Sequence, residues 1–110
     1  MLRALVCYCR KNDVDNIFVT LRKAGFQITP IRKCNDNEFL CRIELSEGTV
    51  FAAVGKHFNP ELGELKWQVS LYPYKNWFDF FRGRNPGLAL LRRIHVILTD
   101  LEDIEIRKCY

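Results

Sequence analysis

The sequence predicts an α+β domain, a mostly antiparallel five- to six-stranded sheet with two helices on one face, in the order β-α-β-β-β-β-α-β. Three observations predict it. Two stretches only, near the beginning and near the end, repeat their apolar residues with the period of a helix. Between them lie short runs that alternate apolar and polar residues, separated by turn-forming residues. No repeat, linker or low-complexity tract interrupts the 110 residues, so residues 1–110 read as a single domain.

The first element, "LRALVCYC", is a short apolar run ended by Arg10, Lys11, Asn12 and Asp13. Its charges lie mainly after the apolar run and no small-residue cleavage site follows, so it reads as a strand rather than a secretory signal. Val14, Ile17, Phe18 and Leu21 then stand at i, i+3, i+4 and i+7, one apolar stripe on a helix. Asn12 or Asp13 can cap it, Arg22 and Lys23 suit its carboxyl end, and Gly25 supplies a left-handed stop. Phe26 to Cys34 is a second strand, which Pro30 confines to an edge or a bulge. After the polar turn Asn35–Asn37, Phe39, Cys41, Ile43 and Leu45 alternate with Leu40, Arg42 and Glu44. "SEG" at 46–48 signals a hairpin into "TVFAAV". The loop "GKHFNPELGE" leads to a strand with Leu65, Trp67, Val69 and Leu71 on one side, ended by Pro73. Phe39, Phe51 and Trp67 are assigned to the core face of their strands.

The segment "NWFDFFRGRNPG" follows, with Trp77, Phe78, Phe80 and Phe81 directly before Arg82 and Arg84. At helical spacing Trp77, Phe80 and Phe81 share one face and Phe78 points elsewhere. Three of the four rings are therefore expected to plug the end of the core, leaving Phe78 beside Arg82 and Arg84 for a partner. Asn85 and Pro86 start a second long helix, whose stripe runs Leu88, Leu91, Ile94, Leu98 and Leu101. "DIEIRKCY" closes as a strand with Ile104 and Ile106 inward.

The 48% hydrophobic and 27% charged content is that of a globular chain, which excludes disorder. No apolar run approaches the roughly 20 residues of a membrane span, and the expected compartment is the cytoplasm. Five cysteines, an odd number without a CxxC pair, read as reduced thiols of the core, with no metal site. The absence of a phosphate loop, HExxH or GxSxG, together with only two separated histidines, points away from an enzyme and from any cofactor. His57 reads as a solvated loop residue and His95 as a structural one at the edge of the helix stripe.

Charge is uneven: residues 1–34 carry net +5, residues 35–71 net −3 and residues 72–110 net +2. The acidic middle third (Asp36, Glu38, Glu44, Glu47, Glu61 and Glu64) is one candidate partner surface, and Phe78, Arg82 and Arg84 are the other. An alternative use of the second surface is single-stranded nucleic acid, held by Lys75, Trp77, Phe78, Arg82 and Arg84 within segment 75–84.

From about Leu65 to Tyr110 the chain runs "W-x-V-x-L-x-P", the aromatic "FFRGR" segment, a leucine-rich helix and a closing "I-x-I" strand. In element order and pattern this resembles small immunity proteins of bacterial polymorphic-toxin and contact-dependent growth-inhibition systems. The resemblance implies a cytoplasmic, non-enzymatic protein that binds and neutralises one cognate toxin domain, often a nuclease. It transfers no site residues, and the net charge of +4 departs from the acidic balance common among such inhibitors of basic nucleases.

Overall fold

A computed structural model of the chain describes residues 2–110, apart from the side chain of Phe80. Among the described residues six strands form one open antiparallel sheet: β1 (Ala4–Cys9), β2 (Gln27–Asn35), β3 (Glu38–Leu45), β4 (Gly48–Lys56), β5 (Trp67–Pro73) and β6 (Glu105–Cys109). Their spatial order is β2-β3-β4-β5-β1-β6. The four middle strands of the sequence make a meander, and β1 is inserted between β5 and β6, with Leu5 opposite Leu71 and Cys7 opposite Ile106. Helices α1 (Lys11–Lys23) and α3 (Pro86–Leu98) pack on each other and on the sheet. A five-residue helix α2 (Trp77–Phe81) and a 3₁₀ turn at Pro60–Leu62 are additions to the order expected from the sequence.

The core lies between the two long helices and one face of the sheet. Leu5, Cys7, Val50, Ala52, Val69 and Leu71 point inward from β1, β4 and β5, with Ile17, Leu21, Leu91 and Ile94 facing them. This alternation leaves Val6, Tyr8, Phe51, Ala53 and Tyr72 on the opposite, open face. Phe51 is thus a correction. Register sets it opposite Tyr72 and Arg42, while Val50, Ala52 and Val54 take the buried positions. A run with apolar residues at every position holds no alternation from which its face could be read.

The start of α1 also differs from expectation. Arg10 occupies the N-cap without a side-chain hydrogen bond, and Asp13 sits in the first turn, where its charge favours the helix dipole. The helix begins at once after β1, so Asn12 and Asp13 fall inside it rather than before it. Its end follows the expected pattern: Gly25 is left-handed (φ 97°), the Phe26 N–H donates to Leu21 O at 3.1 Å, and the Gly25 N–H to Arg22 O at 3.0 Å. For α3, Asn85 accepts the Leu88 N–H at 3.1 Å, with Pro86 in the first turn. That helix stops at Leu98, and Leu101 packs half-buried against the core from the following turn.

Among the described residues all five cysteines carry free thiols, but they do not share one environment. Cys7, Cys9 and Cys41 are buried, whereas Cys34 on β2 and Cys109 on β6 are exposed, which corrects the uniform core assignment. The two exposed thiols sit on the edge strands of the sheet. Burial pushes the Cys7 and Cys9 thiols up to about 12 and Cys41 to about 11. These thiols ionise near 9.0 when exposed, so the stability they contribute is intact below that pH. It is lost as pH rises from there toward about 11 for Cys41 and about 12 for Cys7 and Cys9. A thiol reagent should label Cys34 and Cys109 rapidly in the native protein and the other three only on unfolding. Rapid native labelling of Cys7 or Cys41 would contradict the packing described.

Candidate interaction site around α2

The segment between β5 and α3 is built on a backbone contact. Tyr74 donates its N–H to Thr49 O at 2.9 Å, tying the end of β5 to β4. Gly87 lies against the same two residues so closely that a Cβ there would stand 3.0 Å from Tyr74 N and 3.2 Å from Thr49 O, with Tyr74 O nearer still. Gly48 meets the Pro86 carbonyl carbon and oxygen in the same way, at 2.9 Å each. Backbone on backbone closes this end of the core.

From Tyr74 the chain turns outward. Asn76 Oδ1 accepts the Phe78 N–H at 2.9 Å and starts α2. Gly83 (φ 71°) ends the segment, and Asp79 O accepts the N–H of Arg82 at 3.1 Å and of Arg84 at 2.8 Å. Trp77 and Phe81 do share a helical face, with ring centroids 6.3 Å apart, as their spacing predicts. That face meets solvent, with Trp77 75% and Phe81 81% exposed, and Phe78, on another side of the helix, is 63% exposed. The expected core plug is therefore absent for Trp77 and Phe81, and the Phe80 side chain lies outside the described residues. Phe78 is exposed as expected, and the Arg82 guanidinium lies 4.3 Å over its ring.

Beside α2 runs a groove of about 250 Å³, lined by Glu44, Glu47, Tyr74, Asn76, Asp79 and Gly87 among others. Two of the sequence's acidic candidates thus come together with the aromatic segment at one end of the sheet. Glu44 is held by Arg42 at 2.6 Å and accepts from Thr49 Oγ1 at 3.5 Å. Glu47 reaches Arg93 on α3 at 3.7 Å. The other four acidic candidates are elsewhere. Asp36 and Glu38 stand at the far end of β3, and seven strand steps to Leu45 span roughly 23 Å. Glu61 and Glu64 belong to the loop after β4, at that same far end, with Glu64 paired to Arg10 at 2.9 Å. Asp36 is bonded to Lys33 at 2.7 Å, and that hydrogen bond, helped by the charges of Lys33 and Lys11, holds its carboxyl below the usual range. The acidic third is two separated clusters rather than one patch. Asp79 and Tyr74, which join the groove only through tertiary contact, carried no local signal.

His57 is not the solvated residue expected. Its Nε2 bonds to Leu65 O, its Nδ1 accepts the Asn59 N–H at 3.2 Å, and its ring stands edge-on to Tyr8 at 4.9 Å. Both nitrogens are occupied in closing the loop, so neither is offered to a substrate in this arrangement. Burial and the charge of Lys108 lower the pKa of His95 on α3, which favours its neutral form. Among the described residues no three His, Cys, Asp or Glu side chains stand where they could share a metal ion, and no helix is long and apolar enough to cross a membrane.

No protein-family model matches the chain, and no curated protein matches it. The site has to be read from its own chemistry: exposed aromatic rings, a stacked arginine and an adjoining groove with three carboxylates.

Proposed function

We propose that the chain is a binding protein that docks one protein partner through α2 and the adjoining groove, and that it acts as an inhibitor of the immunity-protein kind. The observation that carries the reading is the exposure of Trp77, Phe78 and Phe81 on one short helix beside Arg82. Tryptophan, other aromatics and arginine dominate the hot spots of protein interfaces, because they bury large area with few rotatable bonds. Glu44, Glu47 and Asp79 beside them suit a partner that brings a basic side chain next to an apolar one. A basic nuclease domain of a toxin is such a partner. The restrained charge of the groove, with two of its carboxylates already paired, assigns electrostatics a steering role and the aromatic rings the affinity.

The test is a pull-down of the tagged chain from its source lysate, with and without added nuclease. One stoichiometric protein that survives nuclease, is lost with Phe78→Ala, and is silenced in its own activity by the intact chain supports the reading. Charge reversal then locates the surface. Glu47→Lys with Asp79→Lys is expected to slow association several-fold at low salt, while Glu61→Lys with Glu64→Lys at the far end leaves it unchanged. The opposite pattern would move the docking surface to the far end of the sheet.

A second reading, binding of single-stranded nucleic acid, gains one observation from the fold. Tyr8, Phe51 and Tyr72 lie on the open face, with Arg107 at 5.2 Å over the Tyr8 ring. It predicts a complex that dissolves on nuclease treatment and an affinity that falls steeply with salt.

A further inference from the structure

The sheet is wider than its helical cover. Six strands about 4.8 Å apart span roughly 24 Å, while two helices packed some 10 Å apart cover about four of them. Helix α3 lies over β4, β5 and β1, and α1 reaches β5 and β2. Edge strand β2 is left largely bare, with Ile28 its one half-buried residue. Between α1 and β2 this leaves two adjoining hollows of about 380 and 160 Å³ that share Asp15 and Phe39. Phe18, Ile28, Pro30, Phe39 and Cys41 form the apolar floor, with the rings of Phe18 and Phe39 5.9 Å apart. Val19 stands at the lip, 43% exposed.

The shape and charge of this groove select its occupant. It follows the 13-residue helix α1, about 20 Å at 1.5 Å per residue, with Lys11, Asp15, Phe18, Val19 and Arg22 along its wall, a length that suits a second helix laid alongside. An added strand is disfavoured, because Pro30 has no N–H to donate and the register of β2 breaks twice, between Pro30 and Arg32 and between Lys33 and Asn35. At the rim Lys33 and Asp36 close on each other at 2.7 Å, so Lys11 and Arg22 face Asp15 with an excess of positive charge. We infer that the groove between α1 and β2 receives an amphipathic α-helix of a partner protein, with its apolar stripe on Phe18, Ile28 and Phe39 and its flanking carboxylates toward Lys11 and Arg22. This surface is separate from α2 and does not depend on the function proposed above.

The probe is a stapled helical peptide of roughly 16 residues with leucine at i, i+3, i+4 and i+7 and glutamate on both flanks, compared with the same peptide carrying lysine flanks. Amide chemical shifts of the isotope-labelled chain are followed during titration. The expected result is that shifts cluster in residues 14–22, 28–33 and 39–41 and that the lysine-flanked peptide binds about tenfold or more weakly. Val19→Asp, at an exposed position that leaves the fold intact, should abolish the shifts, and Arg22→Glu should reverse the flank preference. Absent or scattered shifts, indifference to the flanks, or full binding by Val19→Asp would overturn the inference. So would movement of the same amides with protein concentration alone, together with a dimeric mass in sedimentation, since the occupant would then be a second copy of this chain.

Discussion

Gly87→Ala is expected to destabilise the protein by about 3 kcal/mol, near the upper end of overpacking costs. Helix propensity alone gives the opposite sign, since alanine in a helix is favoured over glycine by about 1 kcal/mol. Geometry decides. The added methyl would press on Tyr74 O, stand 3.0 Å from Tyr74 N and 3.2 Å from Thr49 O, and all three are backbone atoms that no rotamer change can move aside. Relief requires α3 to lift from the end of β4 and β5, which loosens Tyr74 and the helix that follows it. Thermal unfolding followed by circular dichroism should show a fall in midpoint of roughly 10 °C. Gly55→Ala is the control: its Cβ would meet only Glu38 Cγ, at 4.0 Å, and the midpoint should hardly change. A neutral or stabilising Gly87→Ala would mean that this end of the core is not closed by backbone contact.

Phe78→Ala should have the reverse signature, a large loss of binding with little loss of stability. The ring is 63% exposed and outside the core, so its removal leaves the midpoint nearly unchanged. In the complex it would cost at least about 2 kcal/mol, some thirtyfold in affinity, by removing both its own buried area and the surface on which Arg82 is ordered. Arg82→Lys should recover only part of the binding, because an ammonium does not reproduce the planar stack. Titration calorimetry with the captured partner, paired with melting curves, separates the two effects. A marked fall in stability with unchanged binding would return Phe78 to a structural role and remove the basis of the proposed site.

The sequence was most legible where structure is local. The stripes Val14–Leu21 and Leu88–Leu98, the caps at Gly25 and Asn85 and the hairpin at Ser46–Glu47 each rest on residues a few positions apart, and each is found where periodicity and turn chemistry put it. Features that depend on pairing were hidden. The face taken by Phe51 follows from the register with Arg42 and Tyr72, which an all-apolar run does not encode. The five residues of α2 are too few to show a helical period against a strand's, and nothing local shows that Gly87 packs on Tyr74 and Thr49 or Gly48 on Pro86. Proximity in sequence misled for the acidic residues, since an eight-residue strand carries Glu38 and Glu44 toward opposite ends of the molecule. Strand order was equally hidden, and with it the width of sheet that two helices leave uncovered.

The insertion of β1 between β5 and β6 has a consequence for how the molecule is made. During synthesis β2 to β5 can zip up hairpin by hairpin, each strand meeting the one just completed. Strand β1 emerges before both of its neighbours and must wait for Leu71 and Ile106 before Leu5 and Cys7 find their partners. Its apolar face, and the stripe of α1 behind it, are therefore made well before the strands that cover them. The nascent protein would depend on holding them apart from neighbours until the last strand arrives.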